Sequence, residues 1–214
     1  MLWSEKAQQQ VVPLYEAIIS HPFLTQLANG QLSSERFNFY LVQDGLYLAH
    51  YRKIMTMIAA KCDDIAMQTQ FLHYALSTIA AEQELHTHYL QKPIDAEATP
   101  SCELYTAYLY QQICTQPLPV IIASILPCFW LYFRISDDLS QSMISEDNPY
   151  QTWIVSYQSA EYHHALTSLL AITNQLAEQS SPEIQIRMLQ AFEHSTKLEW
   201  LFWQSAWKLE SWAI

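Results

Sequence analysis

The chain has 214 residues, of which 50% are hydrophobic and only 14% are charged. That length is enough for one compact domain with a sizeable core. Low charge together with seven Trp, thirteen Tyr and eight Phe excludes a disordered chain. The formal net charge is -11, and no run of Lys or Arg provides a basic patch. We therefore expect no nucleic-acid partner.

Glycine and cysteine usage exclude further classes. The two glycines, Gly30 and Gly45, cannot form a glycine-rich phosphate loop, and so few argue against an all-β chain with many tight turns. The four cysteines, at positions 62, 102, 114 and 128, form neither a C-x-x-C pair nor a zinc-ligand pattern. Free thiols in a reducing cytoplasm are the simplest interpretation. The first residues show no basic region followed by an apolar stretch, so we expect no signal peptide and a cytoplasmic location.

Helical periodicity runs through the chain and predicts about seven helices. We place them at residues 3–20, 33–61, 64–91, 101–115, 118–143, 148–178 and 182–211. The connections are short, and no strand alternation, internal repeat or domain boundary is visible. The sequence therefore predicts an all-α, single-domain helical bundle spanning residues 1–214.

Cap residues and one apolar segment refine this prediction. Ser33 is a plausible N-cap, and Asn148-Pro149 and Ser181-Pro182 each match a cap residue followed by proline at the first helical position. Residues 117–133 are uncharged and apolar, but they fall short of the roughly 20 residues of a membrane-spanning helix and contain three prolines. We expect a buried helix there and no membrane partner.

Two carboxylates interrupt otherwise apolar helical stripes. Asp44 is the only charged member of a stripe with alternating steps of four and three, formed by Phe37, Leu41, Asp44, Leu48, Tyr51, Met55 and Ile58. Glu199 lies on the line Phe192, Thr196, Glu199, Trp203 and Ala206 of the last predicted helix. A buried carboxylate must be paired, protonated or used. Either acid alone is explained as well by an ion pair or a hydrogen bond to a helix end as by a functional role. Two such acids in one small bundle favour a polar pocket.

A third irregularity is Pro127-Cys128 within an apolar helical run. Proline cannot donate the helical hydrogen bond, so we expect a kink or a helix restart, and kinks often line cavities. If Pro127 opened a new helical segment, Cys128 would lie near a helix N-terminus, which favours its thiolate. Tyr132, four residues on, shares its face. The alternative is that Cys128 is an inert core residue.

Acids and histidines at positions 82–88 are candidate metal ligands. Glu82 with His86, and Glu84 with His88, are i, i+4 pairs. Di-iron bundles instead need Glu-x-x-His on two helices with further carboxylates, which this chain does not offer. His163-His164 after Glu161 is no stronger a candidate, and a solvated helix face explains these residues better. We expect no metal and no cofactor.

Several segments, in order and spacing, resemble one family. They are His21-Pro22-Phe23; Phe39-Tyr40-Leu41-Val42-Gln43-Asp44 with Tyr47; Glu84-Leu85-His86; Pro100-Ser101 with Tyr105-Thr106; Leu126-Pro127-Cys128-Phe129-Trp130-Leu131-Tyr132; Asn148-Pro149-Tyr150 with Trp153 and Tyr157; and Glu199 with Phe202-Trp203. Over about residues 3 to 212 the chain resembles the TenA family, the thiaminase II-type aminopyrimidine hydrolases.

The resemblance implies a haem-oxygenase-like helical bundle without haem, usually assembled as a homotetramer. It implies hydrolysis of 4-amino-5-aminomethyl-2-methylpyrimidine to the hydroxymethyl pyrimidine, a salvage step for thiamin breakdown products. Many members of that family also cleave thiamin itself. Both compounds share the pyrimidine and differ in the leaving group, so the choice between them stays open.

The resemblance also implies roles for particular residues. Cys128 matches the nucleophile, Asp44 the pyrimidine-binding acid and Glu199 the catalytic glutamate. The tyrosines around the substrate ring match Tyr47, Tyr105, Tyr132 and Tyr157. Cys128 places the chain in the cysteine-containing branch. Gly45-Leu46 departs from members with a small polar residue followed by an aromatic one, so ring stacking or leaving-group choice can differ here.

The chemistry of these residues fits the resemblance. A buried Glu199 has a raised pKa and can protonate a ring nitrogen, which makes an aminopyrimidine a better electrophile. The thiolate of Cys128 can then add to the ring and help expel ammonia or thiazole. Asp44 can accept a hydrogen bond from the exocyclic amino group, and Tyr157 or Tyr132 can relay a proton.

Two alternatives from other classes stay open. One is a metal-dependent oxygenase on the same scaffold, using Glu82, His86 and His164. The other is a non-catalytic protein that binds a pyrimidine or a regulatory partner. Cys128 is the discriminating feature, because binding alone does not require a thiol nucleophile.

Overall fold

The computed structural model describes residues 1–89, 96–142 and 147–213, with the side chains of residues 80–88 and 142 outside the description. Within those ranges every regular element is an α-helix. The helices are α1 Trp3–Gln10, α2 Val12–Ile19, α3 Pro22–Ala28, α4 Ser34–Ala59, α5 Ile65–Tyr89, α6 Pro100–Thr115, α7 Leu118–Ser142, α8 Gln151–Ser156, α9 Ala160–Glu178 and α10 Pro182–Lys208. The all-α prediction is confirmed.

Two predicted caps are present with their expected partners. The hydroxyl of Ser33 accepts a hydrogen bond from Arg36 N at 3.4 Å at the start of α4. The hydroxyl of Ser181 accepts one from Ile184 N at 3.3 Å, with Pro182 as the first residue of α10. The two longest helices therefore begin where side-chain acceptors satisfy their free N–H groups.

The first predicted helix, 3–20, is wrong in extent. It divides at Val11, because Pro13 has no N–H to donate to the carbonyl of Gln9. A further helix, α3, was not predicted. It begins at Pro22, and the ring of His21 accepts a hydrogen bond from Phe23 N at 3.1 Å, so a histidine takes the place of a more usual capping residue.

The predicted helix 148–178 is also wrong, because it begins later and is divided into α8 and α9. Asn148 Oδ1 accepts a hydrogen bond from Tyr150 N at 2.9 Å in the turn before α8. The Asn148 amide nitrogen donates to the carbonyls of Leu27 and Ala28, at 3.0 and 2.9 Å, at the end of α3. Helix α8 begins only at Gln151, and α9 begins after Ser159, whose hydroxyl accepts from the next turn. The described residues thus contain ten helices rather than about seven.

Helix α7 continues through Pro127, so of the two expected outcomes, a kink or a helix restart, the restart is wrong. Its segment Leu118–Gln141 has the length and apolar composition of a membrane span, longer than the sequence suggested, but 72% of its most apolar window is buried inside the protein. The prediction of a buried helix is confirmed.

The core joins all of these helices. The two most extensive helix pairs are α7 with α10 and α4 with α5, and α6 contacts α4, α7 and α10. The predicted stripe on α4 is buried apart from Leu48, which is half-buried. The buried hydrophobic residues form one cluster, and the facing stripes of α4, α7 and α10 converge in it.

Candidate active site

The two carboxylates and the cysteine that interrupt the apolar pattern meet inside the bundle. Asp44 on α4 and Glu199 on α10 are 6% and 2% exposed, and Cys128 on α7 is half-buried. The charge of Asp44 acts on Glu199, and both carboxylates act on the thiol of Cys128. The interrupted stripes thus place buried polar groups together between α4, α7 and α10.

The predicted tyrosines surround these groups. Tyr105 Oη donates to Glu199 Oε1 at 2.9 Å. The rings of Tyr105 and Tyr47 lie 4.9 Å apart between centroids. Tyr132 and Tyr157 form a second pair, with centroids 5.0 Å apart. All seven residues predicted from the sequence therefore lie in one region of the bundle.

Further aromatic residues in this region were not predicted as site residues. Tyr40, one turn before Asp44, stacks on Trp203 with a centroid distance of 5.0 Å and donates to Tyr132 Oη at 3.3 Å. Tyr162 contacts Tyr157 edge-on at 5.2 Å. For Tyr40 and Trp203 the spacing of four residues from Asp44 and Glu199 was a usable signal, since positions four apart share a helix face. Tyr162 lies on the helix after Tyr157, so spacing gave no such signal for it.

Three buried polar atoms at this cluster have no hydrogen-bond partner among the described residues. They are Tyr47 Oη, Trp153 Nε1 and Trp203 Nε1. Buried donors in native proteins nearly always find a partner in the protein, in water or in a ligand. These donors mark the aromatic cluster as a place where a polar molecule gains hydrogen bonds.

Burial raises the pKa of Glu199 to about 8, and the nearby charge of Asp44 adds to the effect. The hydrogen bond from Tyr105 opposes it, because it favours the carboxylate. Glu199 is therefore mainly protonated at neutral pH. It can act there as a proton donor, which an ordinary surface glutamate cannot.

Burial also raises the pKa of Cys128 well above its usual value, with Glu199 as the second cause. Tyr47 and Tyr51 oppose the shift, and the Tyr47 hydroxyl lies near the thiol without a hydrogen bond of normal geometry. The expectation that a helix N-terminus favours the thiolate is wrong, since α7 runs through Pro127. Cys128 is a thiol at neutral pH until something removes its proton.

Gln43, beside Asp44, is buried, and no role was predicted for it from the sequence. Its amide donates to the carbonyl of Glu97 at 3.1 Å and accepts from Thr99 N at 2.9 Å. It thereby fastens the segment before α6 to α4. The position of Asp44 relative to α6, which carries Tyr105, depends on this link.

None of the candidate metal ligands lies at this site among the side chains that the structure describes. The side chains of Glu82, Glu84, His86 and His88 lie outside the described residues. His163 and His164 are exposed on α9, as is Glu161. Among the side chains that are described, no group of three or more His, Cys, Asp or Glu could hold a metal ion.

A family model described as TENA/THI-4/PQQC matches residues 8–209. The chain belongs to this family. "Aminopyrimidine aminohydrolase" of Bacillus subtilis is 28% identical over 100% of this chain and 93% of its own length. The Helicobacter pylori protein of the same name is 27% identical over 96% of this chain and 98% of its own length. An uncharacterised Haemophilus influenzae protein is 31% identical over 94% of this chain and 96% of its own length.

Solved structures of other proteins share the fold of this chain. A TenA homologue from Pyrococcus horikoshii superimposes with a TM-score of 0.87 at 25% identity, over 97% of this chain and 99% of its own. A Shewanella denitrificans domain with a heme oxygenase-like fold gives a TM-score of 0.70 at 16% identity, over 96% of this chain and 92% of its own. The resemblance to the TenA family and the haem-oxygenase-like fold are both confirmed.

Proposed function

We propose that this protein is an aminopyrimidine aminohydrolase of thiamin salvage. It converts 4-amino-5-aminomethyl-2-methylpyrimidine and water into the hydroxymethyl pyrimidine and ammonia. The observation that carries the proposal is the meeting of Asp44, Cys128 and Glu199, from three helices, inside an aromatic cluster with unpartnered donors. The printed names of the full-length Bacillus and Helicobacter relatives support it.

We assign the substrate ring to the aromatic cluster. Aromatic side chains offer faces to a planar pyrimidine, and Tyr47 with Tyr105 and Tyr132 with Tyr157 supply two pairs of rings. Asp44 accepts a hydrogen bond from the exocyclic amino group and so fixes the orientation of the ring. The unpartnered Tyr47 hydroxyl is available to a polar group of the substrate.

Glu199 and Cys128 then act together on the bound ring. Protonated Glu199 gives its proton to a ring nitrogen, and the sulfur of Cys128 adds to a ring carbon as its own proton passes to the leaving amine, directly or through Tyr157 or Tyr132. The electrons of the adduct expel ammonia and leave an exocyclic methylene. Water adds its hydroxyl to that methylene and its proton returns to sulfur. The sulfur–carbon bond breaks, and the ring nitrogen returns its proton to Glu199.

Thiamin is the second candidate substrate of the same site. It carries the same pyrimidine, and its thiazole would leave in place of ammonia. Gly45 is buried beside Asp44, and Leu46 is half-buried. These two residues replace the polar-aromatic pair of some family members and are the positions where leaving-group preference would be set.

We also propose that residues 1–214 form one domain and that the protein is a cytoplasmic homotetramer. The single buried core supports the first statement, and four free cysteines fit a reducing compartment. An apolar stripe on the outer face of α5 supports assembly with further copies of the chain, since such patches mark interaction sites. Its members are Ile65, Leu72, Leu76 and Ile79, of which Leu76 is 65% exposed.

Ammonia release from the aminomethyl pyrimidine tests the function, with thiamin assayed alongside. We expect the wild type to turn over and Cys128→Ser to lose activity by about 100-fold or more, because a hydroxyl is a much weaker nucleophile than a thiolate. Cys62→Ser is the matched control, since Cys62 is also buried but only bonds the carbonyl of Ile58 at 3.2 Å.

The outcomes separate the alternatives. Turnover of neither compound by folded wild type would contradict the hydrolase. Pyrimidine binding without turnover would favour a binding protein, and stoichiometric iron in purified protein would favour the oxygenase. Full activity of Cys128→Ser would leave the hydrolase in place but remove the cysteine mechanism.

A further inference from the structure

A buried serine joins the helix that carries Glu199 to the helix that carries Cys128. Ser195 on α10 is fully buried, and its hydroxyl donates to the carbonyl of Ser124 on α7 at 2.6 Å. Ser195 lies four residues before Glu199, and Ser124 lies four residues before Cys128. The hydrogen bond therefore joins the two helices one turn before each of these residues.

The accepting carbonyl matters for the position of Cys128. In an α-helix the carbonyl of residue 124 is the acceptor for the N–H of residue 128. Pro127 next to it has no N–H, so the carbonyl of Ala123 loses its helical donor and this turn of α7 is weakened. Ser195 supplies a hydrogen bond from outside at that turn.

Two more hydroxyls stabilise the same stretch of α7. Tyr51 on α4 donates to the carbonyl of Ile125 at 2.8 Å, and Tyr162 on α9 donates to the carbonyl of Phe129 at 3.1 Å. Of the three, the hydroxyl of Ser195 comes from the helix that bears Glu199. It alone among them joins the helix of the proposed acid to the helix of the proposed nucleophile.

We propose that Ser195 is a positioning residue that sets the separation of Cys128 and Glu199 by fixing α10 against the proline-weakened turn of α7. The inference rests on the proposed roles of those two residues. Ser195 itself does not touch the substrate. Its contribution is to keep sulfur and carboxyl in the geometry in which both reach one ring.

The test compares Ser195→Ala with Ser205→Ala. Both serines are buried on α10, but the Ser205 hydroxyl bonds to Thr99 Oγ1 at 3.2 Å rather than to α7. We expect Ser195→Ala to lower kcat by about ten-fold while KM changes by less than about two-fold, because misplaced reacting groups affect turnover more than binding. Ser205→Ala keeps the wild-type kcat.

A second readout is independent of turnover. The pH midpoint of Cys128 alkylation by iodoacetamide, followed on its own peptide, should fall in Ser195→Ala, since Glu199 raises the pKa of the thiol and a looser pairing weakens that effect. In a Glu199→Gln background the same substitution should shift the midpoint less, because the two changes act on one interaction.

Unchanged kcat together with superimposed alkylation profiles in folded Ser195→Ala would overturn the inference. If the wild type turned over no aminopyrimidine, the proposed function would fail, and the alkylation midpoints alone would decide the role of Ser195. Should Ser195→Ala not fold, Ser195→Cys replaces it. A thiol is nearly the same size but a weak donor, and peptide-level detection distinguishes the new cysteine from Cys128.

Discussion

Glu199 and Cys128 are both protonated at neutral pH because the same surroundings desolvate them. Removal from water disfavours the charged form of each group, and the negative charge of Asp44 acts in the same direction. In the proposed mechanism, the resting site holds an acid that can donate a proton and a thiol that is not yet ionised. Under that mechanism the thiol proton has to move when the substrate binds, which would couple reactivity to binding.

The raised pKa of Glu199 predicts a pH dependence of stability. Its pKa is about 8 in the folded protein against 4.5 for an ordinary glutamate, so the folded state holds the proton more tightly. The stabilisation is complete below about pH 4.5 and is lost as the pH rises through about 8. Urea unfolding gives the free energy of unfolding of the wild type and of Glu199→Gln at about pH 5 and about pH 8. The value for the wild type, relative to that for Glu199→Gln, should be lower at about pH 8 than at about pH 5.

Glu193→Gln is the control for this experiment. Glu193 lies on the same helix, and the hydrogen bond from Lys197 is the main cause that lowers its pKa. Its contribution to stability is present above about pH 4.5 and is lost only at lower pH, so the difference in free energy of unfolding between wild type and Glu193→Gln should stay nearly constant from about pH 5 to about pH 8. A constant difference between wild type and Glu199→Gln at both pH values would contradict the raised pKa.

At the scale of elements, short helices and turns hold the long helices in place. Helix α3 ends against the turn before α8, where the Asn148 amide donates to the carbonyls of Leu27 and Ala28. Gly30 in the connection after α3 has φ +69°, and a Cβ there would lie 3.3 Å from Pro149 Cδ. The close approach of these two segments explains why a glycine and an asparagine occupy them.

Asn148→Ala should destabilise the protein by about 1–3 kcal/mol, because it removes the buried donor to the carbonyls of Leu27 and Ala28 and the acceptor of Tyr150 N. Urea denaturation gives the free energy of unfolding. Asn38→Ala is the control, since Asn38 is exposed on α4, and it should change stability by less than about 0.5 kcal/mol. Equal effects of the two substitutions would show that the Asn148 amide does not stabilise this junction.

At the scale of the whole molecule, apolar surface is distributed unevenly. Helices α4, α7 and α10 bury their apolar faces in the core, whereas α5 has one face on α4 and leaves large apolar side chains exposed on its other face. Such a stripe on an otherwise acidic protein is the surface that the proposed assembly would cover. It does not contribute to the chemistry of Cys128 and Glu199.

Leu76→Glu should therefore reduce the assembly to a smaller species, because a charge buried in an apolar interface is costly. Light scattering coupled to size-exclusion chromatography measures the mass. Leu104→Glu is the matched control, as Leu104 is 51% exposed on α6, away from the stripe, and it should leave the mass unchanged. An unaltered mass for Leu76→Glu would place the interface elsewhere.

The sequence by itself determined the helical class, the long helices α4, α5, α7 and α10, and the stripes on which Asp44 and Glu199 stand out, since helical periodicity and caps are local signals. Only the tertiary structure decided what depends on distant contacts. It brings residues 44, 128 and 199 together, carries α7 through Pro127, and makes Asn148 a cap for a helix about 120 residues earlier. Partner helices set burial, and burial sets the proton state of Glu199 and Cys128.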